Sequence, residues 1–412
     1  MKKPELLLPA GSMEKLEYAV KYGADAVYLG MVDFSLRSMR KGELITAENL
    51  KQAVDLAHIL GAKAYLTLNI FAFNNDIEKL IEHIDIIRDA SPDAIILSDF
   101  GIYNVISKYL PRSEIHISTQ TNILNYEAVK FWRDSGAKRV ILARELSIEE
   151  IAQIKKKVPD IEIEVFVHGA QCVSFSGRCL ISDYMTEGER KANHGGCAQP
   201  CRWSYKLVEE TRPGEYFEIN QNERGTHILS PKDLALINYL PKLIDAGVDS
   251  FKIEGRTKSL YYVSAVAKAY RNAIDEYIKT GKISEEENYN EIIKIGNRGY
   301  TTGFFLNPAG SDGYSYDISK GLAGADFLCV FLEKKENLYK IITKNKINLN
   351  DEIEIISPKE KFTTKVVKIL DIKTGEEKPL ANTNDEAFIE LEKSPEDYKY
   401  ALARTIGVKN LR

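Results

Sequence analysis

The sequence predicts an α/β fold: a (β/α)8 TIM-like barrel with a cysteine-rich insertion after its seventh strand, followed by a small all-β barrel at the C-terminal end. Three observations predict it. Through residue 281, eight short β-rich runs alternate with longer stretches of helical period. One connection, 171–230, is about sixty residues long, far beyond an ordinary strand-to-helix loop. From Phe327 onward, short alternating runs are separated by turn residues.

The expected barrel strands are ELLLP (5–9), DAVYL (25–29), AKAYLTLN (62–69), DAIILS (93–98), EIHIST (114–119), RVILA (139–143), IEIEVFV (161–167) and DSFKIE (249–254). Between the first two, MEKLEYAVKY places Leu16, Ala19 and Val20 at helical spacing behind Ser12, an N-cap residue type. IEKLIEHIDIIRDA, from Ile77, repeats that pattern as one helix with Asn75 or Asp76 as its cap; YEAVKFWRDSG and IEEIAQIKKKV follow it. Gly23, Gly61, Gly136 and Gly247 each close a helical run ahead of a strand, where a left-handed C-cap belongs. An open doubly wound sheet is the rival topology, but the first turn, Pro9-Ala10-Gly11-Ser12, lacks the glycine-rich phosphate loop such a sheet would carry. The division expected is a barrel over 1–281 that includes the insertion, a Tyr-, Gly- and Asn-rich connector over 282–326, and a small β-barrel over 327–412. Cys329, in an alternating apolar run, reads as a core residue.

The composition, 44% hydrophobic and 28% charged over 412 residues, excludes disordered, collagenous and coiled-coil classes. No apolar run approaches the roughly 18 residues of a membrane span, and the apolar run after the two N-terminal lysines stops at Pro9. The cytoplasm and no membrane association are therefore expected. A net charge of −4 does not advertise nucleic-acid binding, though a local basic patch is compatible with it.

The strongest chemical signal is the insertion. Four of the five cysteines lie there, as Cys172-x6-Cys179-x17-Cys197-x3-Cys201. In a reducing compartment such a group points to metal or redox chemistry ahead of disulfides. Four thiolates suit either tetrahedral zinc or a four-iron cluster. Only the second pair approaches a zinc-knuckle spacing, and the Gly- and Ser-rich surroundings favour a larger inorganic core that backbone N–H groups approach closely. Because loops after strands lie on the C-terminal face of a barrel, the insertion is expected over its mouth.

The runs EVFVHGAQCVSFSGRC (164–179) and NHGGCAQPCRW (193–203) resemble the signature of the collagenase-like peptidase family, peptidase family U thirty-two. ELLLPAGSMEKLEYAVKYGADAVYLG, HISTQTN (116–122), LAREL (142–146) and KIEGR (252–256) agree in kind, so the resemblance spans essentially the whole chain. Members of that family hydroxylate tRNA, ribosomal RNA or, as paired subunits, a quinone precursor without oxygen. The resemblance implies a 4Fe–4S cluster on Cys172, Cys179, Cys197 and Cys201, with Cys201 the ligand that varies most. It also implies 5-hydroxyuridine formation at the tRNA wobble position with a prephenate-linked donor. The partners it implies are tRNA, a small dicarboxylate co-substrate and, in some relatives, a second protein of the family.

Asn69, Asp99, Gln120, Arg144, Glu145, His168, Glu254 and Arg256 recur at strand C-termini, where a barrel gathers its site. Each alone is equally compatible with a buried structural role, and Arg144–Glu145 or Glu254–Arg256 with a plain ion pair. A dicarboxylate such as prephenate needs guanidinium forks; Arg144, Arg256 and Arg178 are the candidates, with Arg37 a fourth. His168 would relay a proton or fix the cysteine loop through a hydrogen bond. Arg190, Lys191, Arg202 and Trp203 offer phosphate contacts and a stacking face, although Trp203 suits a core equally.

Two other classes compete. A peptidase needs a nucleophile with its base or an open metal site, yet there is neither H-E-x-x-H nor G-x-S-x-G. A Cys172–His168 dyad would serve only if that thiolate did not bind iron. A cluster-bearing subunit without chemistry of its own is the third class.

Overall fold

The structure, a computed structural model, describes residues 2–31, 34–35, 45–172, 181–186, 189, 196–202, 221–222, 225–226, 231–306 and 322–407. Eight parallel strands form the first barrel: β1 Glu5–Ala10, β2 Ala26–Gly30, β3 Lys63–Leu68, β4 Ala94–Leu97, β5 Glu114–Ile117, β6 Arg139–Ile141, β7 Glu162–Ala170 and β8 Ser250–Ile253. Ser250 of β8 lies opposite Glu5 of β1 on one side and Glu164 of β7 on the other, which closes the cylinder. Each strand falls on one of the expected runs. Ser12 caps the helix Met13–Lys21 by accepting from the Lys15 N–H at 3.2 Å.

Three local features depart from expectation. The segment read as one helix from Ile77 is two, Asn74–Glu82 and Ile84–Ala90, meeting at His83. Its cap is not Asn75 or Asp76: the Asp76 carboxylate reaches back to accept from the Phe73 N–H at 2.9 Å, so the helix starts ahead of both. In the connector, Glu285–Ile293 is helical, and Tyr300–Thr301 pairs with Asp233–Ala235, which runs antiparallel to β7. Third, β7 carries a bulge. Phe166 faces Lys252, but the next partner of β8 is His168, so Val167 is the extra residue and the alternation of faces breaks there.

The second barrel has six antiparallel strands: Phe327–Lys335, Leu338–Thr343, Glu352–Ile356, Lys361–Asp371, Glu386–Leu391 and Leu402–Thr405. Pairing of the first strand with the last closes it. Its core is separate from that of the larger barrel and contains Cys329, fully buried as expected, whose thiol pKa burial pushes up. The two barrels meet across the helices Met13–Lys21, Leu260–Thr280 and Glu285–Ile293. The Tyr22 hydroxyl donates to the carbonyls of Ile356 and Tyr400 at 3.0 and 2.6 Å, and Tyr261 stacks on Phe327. Among the described residues, no helix is long and apolar enough to cross a membrane.

Candidate active site at the barrel mouth

Barrels of this kind usually fill their interior with layers of branched aliphatic side chains. Here the lower interior is ionic instead. Arg139 of β6, almost fully buried, donates to Glu5 at 2.5 Å, Glu162 at 2.8 Å and Glu164 at 3.0 Å. Lys252 of β8 donates to the other oxygen of Glu164 at 2.9 Å, and the Tyr65 hydroxyl donates to Glu5 at 2.6 Å. Burial alone would raise the pKa of Glu164; the adjacent Lys252 and Arg139 outweigh it and hold that carboxyl at about 2. The network supplies a partner for each charge that the fold has taken out of water.

Above it opens a cavity of about 80 Å³. Tyr28, Thr67, Phe166 and Lys252 form part of its lining, beside Asn69, Gln120, Arg144, Glu254 and Arg256. Five residues expected at the mouth therefore come together in one place. Arg144 lies over the Phe166 ring at 3.9 Å and donates to the Ala170 carbonyl at 2.8 Å, while its other nitrogen stands 4.0 Å from Glu254. Arg256 donates to the Ser35 hydroxyl at 2.5 Å. Its guanidinium occupies space that a side chain at position 30 would take: a Cβ on Gly30, at the end of β2, would overlap Arg256 and press on Ser35. Two arginines fixed at one mouth, with hydrogen-bonding capacity in a fork, are suited to a carboxylate.

The other expected residues lie elsewhere. Asp99 caps the helix Phe100–Tyr109, accepting from Gly101 and Ile102 at 2.8 and 3.1 Å. Glu145 is half-buried and does not line the cavity. His168 is turned by the bulge away from the mouth and toward the helix Leu260–Thr280, where Tyr262, Tyr270 and Tyr300 surround its ring. Its Nδ1 is 3.3 Å from the Tyr270 hydroxyl, and burial, aided by Lys258, pushes its pKa down to about 3. It is a neutral, buried imidazole. Arg37, Arg178, Arg190, Lys191, Trp203 and the side chain of Arg202 lie outside the described residues. Lys252 and Thr67 were missed because a lysine and a threonine within strand runs carry no mark of which face they take; the signal was the two-residue spacing from Lys252 to Glu254 and from Thr67 to Asn69.

Of the four clustered cysteines, Cys179 also lies outside the described residues. Cys172 and Cys197 are exposed and Cys201 is half-buried. Cys172 stands two residues beyond Ala170, whose carbonyl Arg144 holds, so the start of the insertion is tied to the cavity wall. The Gln199 N–H donates to the Cys197 sulfur at 3.4 Å, the kind of contact that supports a metal-bound thiolate. In donor type, the set fits a soft metal or an iron–sulfur core. Among the described residues, no three His, Cys, Asp or Glu side chains gather as a metal site.

Comparison with known proteins agrees with this architecture. The profile of peptidase family U32 matches residues 11–314, and that of the U32 C-terminal domain matches residues 324–404. A "tRNA hydroxylation protein P1" of Bacillus subtilis is 40% identical over 375 residues, covering 90% of this chain and 87% of the relative. A "tRNA hydroxylation protein P" of Haemophilus influenzae is 37% identical over 416 residues, covering 90% and 89%. A "Collagenase" of Porphyromonas gingivalis is 36% identical over 73% of each chain. With both barrels matched and these identities sustained along the chain, the protein belongs to peptidase family U32.

Proposed function

We propose that the chain is a tRNA hydroxylase that forms 5-hydroxyuridine at the wobble position, independently of oxygen and with a prephenate-linked donor. The observation that carries this reading is the 37–40% identity, over about nine-tenths of the chain, to proteins named for tRNA hydroxylation. The mouth cavity supports it from the side of chemistry. Arg144 and Arg256 would take a carboxylate of the donor, and Glu254, beside Arg144, would accept a hydrogen bond from a ligand hydroxyl. Asn69 and Gln120 would orient its remaining polar atoms. The target uridine has to be splayed from its stack to reach a recessed mouth.

Cys172, Cys179, Cys197 and Cys201 would hold a 4Fe–4S cluster, with zinc the alternative. Bound there, such a cluster supplies electron transfer or a Lewis-acidic iron. The protein's own part is to hold the donor at fixed guanidinium groups and to exclude water around it.

The peptidase reading has less support in the site. Among the described residues no histidine lines the cavity, and the Thr119 hydroxyl on its wall donates to the Leu142 carbonyl at 3.0 Å. The test is nucleoside mass spectrometry of tRNA from a deletion strain complemented with wild type, Arg144→Met or Cys179→Ala. Wild type is expected to restore the hydroxylated wobble uridine and both variants to lose it. Full restoration by Cys179→Ala would remove the cluster from the reaction. Failure of the wild-type gene, together with gelatin cleavage by iron-free protein that Cys172→Ser abolishes, would transfer the assignment to a peptidase.

A further inference from the structure

The floor of the mouth cavity holds two polar groups that the fold leaves incompletely used. Thr67 of β3 is 4% exposed, and among the described residues its hydroxyl has no hydrogen-bond partner. Lys252 of β8 is 5% exposed, and among those residues its hydrogen-bond acceptor is Glu164, which occupies one of three N–H donors. The ammonium lies 4.7 Å from the Tyr28 ring centre and 5.6 Å from that of Phe166, faces that stabilise a cation without accepting its remaining protons. A buried hydroxyl without a partner is destabilising, a cost a fold keeps where a ligand or an ordered water meets the group. Both side chains line the same cavity as Arg144 and Arg256, and the lining carries three cations, Arg144, Lys252 and Arg256, against the single carboxylate of Glu254.

We infer that Lys252 and Thr67 are ligand-binding residues that grip the innermost carboxylate or 2-oxo group of a small dianionic carboxylic acid, while Arg144 and Arg256 hold its outer end. The inference deepens the proposed function and rests on it for the identity of the acid. It selects among acids by charge and length: a dicarboxylate reaches both the floor and the rim, whereas a monocarboxylate of the same size satisfies one of them. Glu164 keeps Lys252 in place when the site is empty, and the two remaining N–H donors turn to the ligand when it arrives.

The test is isothermal titration of the purified full-length protein with prephenate, and with phenylpyruvate as the monocarboxylate. Thr67→Val removes the hydroxyl at nearly constant shape; Lys252→Gln removes the ammonium, and Lys252→Arg keeps a cation of a different shape. Wild type is expected to bind prephenate at least about tenfold more tightly than phenylpyruvate, and Thr67→Val and Lys252→Gln to erode that preference by about tenfold each. Circular dichroism melting confirms folding, and Thr67→Val alone decides the outcome if Lys252→Gln does not fold. Unchanged binding in a folded Thr67→Val variant, or no binding of either acid to wild type, overturns the inference and leaves the floor to water. Because the titration contains no tRNA, it is independent of the hydroxylation assay: binding without hydroxylation would overturn the proposed reaction and keep the binding site.

Discussion

At the scale of single residues, the mouth is set by what is missing as much as by what is present. Gly30 leaves the space in which the Arg256 guanidinium lies against Ser35, and a methyl group there would occupy it. Gly30→Ala is therefore expected to displace Arg256 while leaving the strand intact, since alanine fits a β-strand sterically. The expected outcome is a loss of wobble hydroxylation of about tenfold or more, with a melting temperature within a few degrees of wild type. Unchanged activity would mean that Arg256 does not touch the donor. His168 makes the opposite case, a residue whose chemistry is fixed by burial rather than by a partner. Its pKa is about 3 in the folded chain, against an ordinary histidine value of 6.5, so between those values the unfolded chain binds a proton that the folded chain does not. Stability therefore falls as pH drops through 6.5, by about 2 kcal/mol between pH 7 and 5. Glu164, held low, adds its own loss only below its ordinary value of 4.5. Burial also lowers the pKa of His116, so urea unfolding at pH 7 and pH 5 is expected to show at least that drop in wild type and a shallower one in His168→Gln; equal slopes would show that His168 is already protonated in the fold.

At the scale of elements, the strands were legible because each is a short apolar or β-branched run bounded by glycine or acidic turns, as DAIILS and RVILA show. The helix caps were legible where the side chain and the chain agree, as at Ser12, which accepts from the Lys15 N–H at 3.2 Å. Asp76 misled because an acidic residue three positions into a helix has the same sequence appearance as a cap. His168 was placed at the mouth because it follows the end of the seventh strand run; a regular strand would keep it on the face of Glu164 and Phe166, but one extra residue in β7 reverses that, and nothing local in EVFVHGA announces the bulge. The ionic interior was hidden for another reason. Arg139, Glu162, Glu164 and Lys252 lie on three different strands, and their partnership exists only once the cylinder closes. Arg144 and Arg256, by contrast, sit just past strand ends, where fold class alone assigns them to the mouth.

At the scale of the whole molecule, the second barrel is fastened to the first by a buried charge cluster rather than by a tether alone. Arg404, on the last strand of the small barrel, has a fully buried side chain that donates to Glu354 and to Glu291 at 2.5 Å each and to the Tyr261 hydroxyl at 3.3 Å. Glu354 belongs to the small barrel, whereas Glu291 and Tyr261 belong to helices that pack on the large one. Lys294 and Lys361 flank the same carboxylates at 3.2 and 2.9 Å. Arginine is suited to this position because its planar group presents donors from three separate nitrogens to three acceptors, a fork that the compact ammonium of lysine does not reproduce. Replacing it with Met keeps most of the volume but leaves the two carboxylates to share Lys294 and Lys361, so Arg404→Met is expected to destabilise the junction by about 2–4 kcal/mol. The consequence should be local. Each barrel has a core of its own, so the small barrel would loosen from the helices Leu260–Thr280 and Glu285–Ile293 before either barrel melts. Limited elastase digestion is expected to cut Arg404→Met between the barrels, near Ala323 and Ala325, at protease levels that leave wild type whole. Adding Glu354→Gln removes one of the stranded charges and should restore part of the resistance; a single variant as resistant as wild type would show that tyrosine contacts such as Tyr22 with Tyr400 carry the junction instead.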